Sequence, residues 1–543
     1  MPVAPWPVRV AQSSLTPAEL IGRATAICLG ERGRFPRARL CPIRSGVPAT
    51  SNLTSPLSSG PIPAAFLAAA AELLGPEGLT ADHERIAPWL TDWRGRYHGR
   101  ADWLASPAST EQVAALISLC AAHRVALVPQ GGNTSMVGGA TPPADGSALL
   151  VSLRRMNRIR ALDAAAGTAV AEAGVVLETL HDAAGAAGWR FPLSLGAKGS
   201  ATIGGLCATN AGGTQVLRFG TMGALVLGLE AVLPDGSVLN GLTPLRKDNR
   251  GPDLRQLLIG AEGTLGIITA ATLRLVPQPA ATATAWAGLA SPQDALTLLR
   301  RLEAAGLAVE SFELIPAESL ALVLDHLPGA RAPLSGDHRW HALIEATGDA
   351  EGGAEGGAGV ADALQAALAA ALGDGLIGDA VPAASSAQAA AFWRIRESVS
   401  AAEKAAGPAV QHDISVPVAA MPDFMIAAAE AAERAFPGTH ASGFGHLGDG
   451  NVHFHVRAPA NAPADWVARQ GPAVSDFVYD LVTAAGGSIS AEHGIGQMKR
   501  DVFARLGDPV RLAMLRAVKQ ALDPLGLMNP GKLVPLASPP AAP

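Results

Sequence analysis

Apolar residues recur along the chain in two rhythms. From Ala64 to Leu74, and from Thr110 to about His123, their spacing predicts helices; Ser109 caps the second, with Gln112 three residues on. Short apolar runs at Val125–Val128 and Leu149–Leu153 predict buried strands flanking a glycine-rich loop, an α/β alternation. Leu225–Leu233 and Ser237–Leu239, joined by Pro234-Asp235-Gly236, predict a hairpin, and Ile267–Val276 predicts a strand stopped by Pro277 and Pro279. Beyond about residue 281 the composition shifts. Helical and strand patterns alternate to about Val418, broken by a low-complexity run, Gly348 to Gly359, that reads as a surface loop. Trp393 to Ser400 reads as helix, which places Arg396 and Ser400 on one face.

The strongest chemical signal lies further on. His446 precedes the turn Gly448-Asp449-Gly450-Asn451, and His453 and His455 follow it on a strand, where side chains repeat every second residue. The two therefore share a face, and His446 can fold back towards them. Downstream, Glu492 and His493 sit in a second glycine-flanked segment. Two histidines and a glutamate can hold zinc with a position left open for substrate, as a catalytic metal requires. The plainer alternative is a glycine-rich hairpin whose histidines bond locally. Asp449 and Asn451 are candidates to orient the ligand histidines, with Asn451 equally readable as a turn residue.

Three small-residue loops suggest what accompanies the metal. Pro129 to Gly139 carries Gly131, Gly132, Asn133, Thr134, Ser135, Gly138 and Gly139 after a buried strand. Glycines bring bare N–H groups close to an anion, and the hydroxyls add donors. Gly196 to Gly213, with Ser200, Gly204, Gly205 and Asn210, and Gly260 to Ile268, with Glu262, Gly263 and Gly266, complete the set. Such loops suit a long, flat, phosphate-bearing ligand. None matches the P-loop or the G-x-G-x-x-G fingerprint.

Taken in order, QGGNTSMVGG, GAKGSATIGG with ATNAGG, LGLEAVLPDG, RKDN, IGAEGTLGIIT, GHLGDGNVHF, SAEHGIG and NPGK resemble the FAD-linked D-2-hydroxyacid dehydrogenases. These belong to the vanillyl-alcohol-oxidase (PCMH-type) flavoproteins, and the resemblance spans roughly residues 62–535. It implies an α+β fold: a PCMH-type FAD-binding domain of two α/β subdomains over 61–280, and an α+β substrate, or cap, domain over 281–500 carrying the metal site. The closing segment, 501–543, would return to the FAD domain. It implies FAD along Pro129, Gly131, Gly132, Asn133, Thr134, Ser135, Gly138, Gly139, Gly196, Ser200, Gly204, Gly205, Asn210, Glu262, Gly263, Gly266, Ile268 and Asn529. No His or Cys stands where covalent relatives tether the flavin, so the FAD is expected to dissociate.

The resemblance also assigns roles. His446, His453 and Glu492 map onto ligands of a divalent metal, zinc in this reading, with His493 as general base. Arg396 and Ser400 map onto binders of a substrate carboxylate; a helix-surface Arg396 paired with Glu397 or Glu403 is the alternative. Two departures stand out. Gln411 occupies a position where relatives acting on diacids carry Lys, and His455 one where they carry Asn. Gln411 leaves the pocket a charge short, and His455 could supply one or act as an extra metal ligand.

The expected activity is oxidation of a D-2-hydroxy acid (D-2-hydroxyglutarate, D-lactate, glycolate or another), with electrons passed to a quinone or an electron-transfer flavoprotein. An O₂-using oxidase, a non-redox enzyme like alkyl-glycerone-phosphate synthase, and a flavin-free metallohydrolase are the alternatives. The resemblance also admits a homodimer.

Composition narrows the field. At 543 residues, 49% hydrophobic and 16% charged, the chain is long enough for several cores. A net charge of −6 gives no basic field for nucleic acid. Cys28, Cys41, Cys120 and Cys207 lack CxxC spacing, which fits a reducing compartment. No long uncharged apolar run predicts a membrane span. Residues 1–60 are rich in Pro, Ser and Arg, with Glu19 and Glu31 their only acids. They are expected to be a disordered or targeting leader. The resulting expectation is a bacterial cytoplasmic protein, or a mitochondrial one if that leader is a transit peptide.

Overall fold

The computed structural model describes residues 60–348 and 359–533. The leader and most of the Gly348–Gly359 run lie outside them. The helices Ala64–Leu74 and Thr110–His123 form where the apolar spacing predicts, and Ser109 Oγ accepts from Gln112 N at 3.3 Å. Both pack through Phe66, Ala70, Val113, Leu116 and Ile117 onto a small sheet in which Ala126–Gln130 and Leu104–Ala105 flank Ala148–Ser152 in parallel. The C-terminal segment adds to its edge: Leu127 N donates to Leu527 O (2.9 Å) and Asn529 N to Leu127 O (2.8 Å).

A second, five-stranded sheet is antiparallel throughout, in the order Ile159–Asp163, Thr168–Glu172, Ile267–Arg274, Val226–Val232, Val238–Gly241. The hairpin turns at Gly236 (φ 84°), where Asp235 Oδ1 accepts from Ser237 N. The strand predicted to run unbroken to Val276 instead ends at Arg274. Leu275 N donates to Gly167 O, and Val276–Pro277 then pairs with Trp189–Arg190.

The rest of the chain builds a seven-stranded antiparallel sheet in the order Asp379–Pro382, Ala281–Leu289, Trp340–Gly348, Ala308–Pro316, His440–His446, Asn451–Arg457, Ala409–Ser415. Alternation divides it in two. Phe312, Leu314, Val410, Ile414, Val452 and Phe454 enter a large core with helices Pro292–Ala304, Met421–Ala435 and Trp466–Ala484. The intervening residues Glu313, Gln411, Asp413, His453 and His455 point to the opposite face, the side of helix Ser386–Ala405. The central strands thus turn Glu313, Asp413, His453 and His455 away from the large core. Among the described residues no helix is long and apolar enough to cross a membrane.

Candidate functional site

The hairpin His440–His446/Asn451–Arg457 turns at Gly450 (φ 80°), where Asp449 Oδ1 accepts from Asn451 N at 3.0 Å. Its register pairs His446 with Asn451 and Phe444 with His453, which makes His446 and His453 diagonal neighbours with ring centroids 5.6 Å apart. Glu492 joins them from the segment before Gly494. Ligand atoms of His446, His453 and Glu492 all lie within 4.8 Å of one another, and His446 Nε2 is 3.8 Å from Glu492 Oε1.

Glu313, on the neighbouring strand, orients this cluster. Its carboxylate receives His446 Nδ1 at 2.5 Å and Arg396 Nε at 2.6 Å. Burial alone would raise Glu313, but Arg396 and His446 together overcome it and hold the carboxyl at about 2. In return, Glu313 outweighs the burial of His446 and lifts that imidazole to about 9. Burial pushes Glu492 up to about 7 and His453 well down. A carboxylate and an imidazole that both resist charging alone form a donor set that a divalent cation would satisfy, with Glu313 fixing the ring of His446 from behind. The residues fit a metal of the zinc type.

Asp413 organises the other half. Oδ1 accepts from Asn451 Nδ2 (2.9 Å), Oδ2 from the backbone N of Glu492 (3.0 Å) and of His493 (2.9 Å), and His493 Nδ1 lies 3.3 Å from Oδ2. Burial would raise Asp413, yet the facing His493 ring, the Lys499 ammonium and the backbone N–H of Glu492 hold it well below the usual carboxylate range. With its oxygens so engaged, Asp413 is a poor ligand, although it also lies close to Glu492 and His493. A carboxylate at Nδ1 favours the tautomer that leaves Nε2 a lone pair. Burial lowers His493 to about 4, so its imidazole is neutral near pH 7 and able to accept a proton.

Glu492 and His493 also line one end of a cavity of about 550 Å³. The three glycine loops supply most of the rest: Pro129, Gly131, Gly132, Asn133, Thr134, Ser135, Gly139, Gly196, Ser200, Gly204, Gly205, Glu262, Gly263, Gly266 and Ile268. A Cβ at Gly132 would collide with the Ser200 carbonyl, and Gly263 sits at φ 71° against Pro129. The Thr202 hydroxyl on the cavity wall is buried with no hydrogen-bond partner. A bare-backbone cradle with an unmet hydroxyl fits a flavin dinucleotide.

Three residues expected at the cofactor also brace the loops. Asn210 ends helix Ile203–Thr209 at φ 49° and accepts from Gly223 N (2.8 Å). Asn529 Nδ2 donates to Gly139 O (2.9 Å) and Glu262 O (2.7 Å). Gly138 O accepts from Gln497 Nε2 (2.9 Å). Glu262, at φ 52°, ties the flavin loop to the His493 segment by accepting from Ile495 N and Gly496 N, both at 2.7 Å.

Other expectations change. His455 lies outside the group whose ligand atoms converge, and its Nδ1 meets Glu403 Oε2 at 2.9 Å, alongside Arg457. Arg396 pairs with Glu313, not with Glu397 or Glu403, and Ser400 one turn on is exposed. Asn451 steadies Asp413 instead of a histidine. Gln411 accepts from Arg94 Nη1, a partner 317 residues away. Glu313, Asp413 and Arg94 went unassigned in the sequence. An acid set between apolar neighbours, as in Phe312-Glu313-Leu314, was the one signal available for the first.

The FAD binding domain family matches residues 101–241, and the FAD linked oxidases, C-terminal domain family matches 278–533. The D-2-hydroxyglutarate dehydrogenase of Arabidopsis thaliana is 38% identical over 468 residues, 86% of this chain and 80% of that protein. The Bos taurus enzyme of the same name is 38% identical over 86% and 83% of the two chains. D-2-hydroxyglutarate–pyruvate transhydrogenase of Saccharomyces cerevisiae is 31% identical, covering 83% and 90%. In fold, the chain is similar to alkyldihydroxyacetonephosphate synthase (TM-score 0.64, 18% identity, 88% and 87% covered) and to p-cresol methylhydroxylase (TM-score 0.65, 15%, 88% and 98%). The expected bacterial cytoplasmic location is overturned by these relatives, since the plant and bovine enzymes are named as mitochondrial. By its relatives and both of its domains, the chain belongs to the FAD-linked D-2-hydroxyacid dehydrogenases, flavoproteins of the vanillyl-alcohol-oxidase type.

Proposed function

We propose that the protein oxidises a D-2-hydroxy acid to its 2-oxo acid, with His493 as base. One observation carries this reading: a neutral imidazole, backed by Asp413, stands beside the cluster His446, His453 and Glu492 at the end of a glycine-lined cavity. The reaction removes one proton from the C2 hydroxyl and one hydride from C2. FAD, held without a covalent tether by the three loops, supplies the two-electron acceptor when bound. A divalent metal on His446, His453 and Glu492, zinc in our reading, would supply Lewis acidity towards the substrate oxygens.

The chain's own residues do the rest. His493 takes the hydroxyl proton at Nε2, and Asp413 stabilises the imidazolium that results. Arg396, its Nε fixed by Glu313, is assigned the C1 carboxylate, where a planar fork suits two oxygens. Glu262 keeps the His493 segment in register with the flavin loop. Electrons then leave to an electron-transfer flavoprotein or a quinone. The relatives' names support a dehydrogenase over an oxidase.

Steady-state assays with an artificial dye acceptor test the reading. D-2-hydroxyglutarate or D-lactate should drive dye reduction, one 2-oxo acid forming per two electrons, with little O₂ uptake in the absence of dye. Stoichiometric O₂ consumption would make the enzyme an oxidase. Dye reduction by the L-acids alone would overturn the assignment.

A further inference from the structure

Two buried cations beside the site are matched by their surroundings, and Arg94 is not. Arg396 has Glu313, and Lys499 Nζ donates to Asp413 O (3.2 Å) and Ile489 O (2.8 Å). Arg94 has only neutral partners. Its Nη1 donates to Gln411 Oε1 and its Nη2 lies 3.5 Å from Met136 Sδ, while Nε is buried with no hydrogen-bond partner. No carboxylate among the described residues comes within ion-pair distance of it. The nearest in sequence, Asp92, is spent on the backbone: it accepts from the N–H groups of Arg94 (3.2 Å), Arg96 (2.6 Å) and Tyr97 (2.6 Å) and so fixes the turn that presents Arg94.

The location gives this cation a use. Gln411 shares the sheet face that carries Asp413, two residues on, and Met136 and the neighbouring Trp93 line the same cavity as His493. Burial, followed by repulsion from Arg96, lowers Arg94 to about 10, so it stays charged at neutral pH in a place that disfavours charge. A partly desolvated guanidinium without an anion is expensive to keep and gains most from a carboxylate brought in from outside. Gln411 is itself neutral, and the positive charge beside it arrives from a segment 317 residues away.

We infer that Arg94, oriented by Gln411, binds a second anionic group on the substrate and sets a preference for D-2-hydroxy diacids over monoacids. The inference rests on the reaction proposed above. Arg94 is a specificity residue, and the proton and hydride transfers fall to other groups.

The test compares D-2-hydroxyglutarate with D-2-hydroxyvalerate, which has the same chain length without the distal carboxylate, using FAD-loaded wild type, Arg94→Gln and Arg94→Lys. For Arg94→Gln, kcat/KM for the diacid relative to the monoacid should fall about 10- to 100-fold, mainly through KM. Arg94→Lys should recover part of that ratio. A misfolded variant would lose both substrates and its flavin together, and the Lys variant then decides. An unchanged ratio in a flavin-replete variant overturns the inference. Binding of glutarate and of valerate, read from the perturbed flavin spectrum, separates the two claims. Arg94-dependent glutarate binding with no oxidation of any D-2-hydroxy acid would sink the reaction and leave the anion site standing. Oxidation of the diacid indifferent to Arg94 would do the reverse.

Discussion

Replacing His493 by Asn should slow flavin reduction by a D-2-hydroxy acid about 10²- to 10⁴-fold, the range expected for loss of a positioned general base. Asparagine keeps a polar group near Asp413 but cannot take a proton from a hydroxyl. The backbone N–H of residue 493 still reaches Asp413 Oδ2, so the segment and the bound FAD should stay in place. Anaerobic stopped-flow of the flavin band measures the rate directly, and unchanged flavin content separates chemistry from collapse. Because burial holds His493 at about 4, the wild-type rate should persist as pH falls from 7 to 6, where an ordinary imidazole begins to protonate. Reduction of the variant at the wild-type rate would place the base elsewhere.

The second large effect concerns the ligand cluster. Stripping metal with a chelator, or replacing His453 by Ala, should lower turnover by about 10³-fold or more, since Lewis-acid stabilisation is worth several kcal/mol. The glycine loops share no side chain with the His446–His453–Glu492 set, so the flavin should remain. Added zinc should restore the stripped wild type but not the His453→Ala variant, which lacks one of three ligands. Elemental analysis should find about one metal per chain, following the open three-ligand site. A metal-free preparation that turns over at the full rate would remove the metal from the mechanism and leave Glu313, His446 and Glu492 as a structural charge network.

Local rules made part of this site readable. Strand alternation placed His453 and His455 on one face, and the turn brought His446 back to His453. Small residues marked the cavity walls, because only a missing Cβ lets the backbone of Gly132 pass Ser200. Ser109 and Gln112 announced a helix through a cap contained in four residues. The unread residues owe their roles to distance along the chain. Glu313 meets a histidine 133 residues away, and Asp413 meets His493 across 80. Nothing in the local pattern around either acid reports such a partner. His455 followed the alternation rule correctly, yet its partner is Glu403, 52 residues earlier on a packed helix. Asn210, Gly138 and Asn529 sit within cofactor motifs and also serve the loops' own hydrogen bonds. Spacing cannot separate lining a cavity from bracing its wall.

The central claim, a flavin that accepts a hydride from C2 of a D-2-hydroxy acid, is tested most directly by the anaerobic visible spectrum of the zinc-supplemented, FAD-loaded protein. Addition of D-2-hydroxyglutarate should bleach the flavin band, and the L-enantiomer should leave it intact. A yellow protein that no D-2-hydroxy acid bleaches, or one that only the L-acids bleach, would contradict the account.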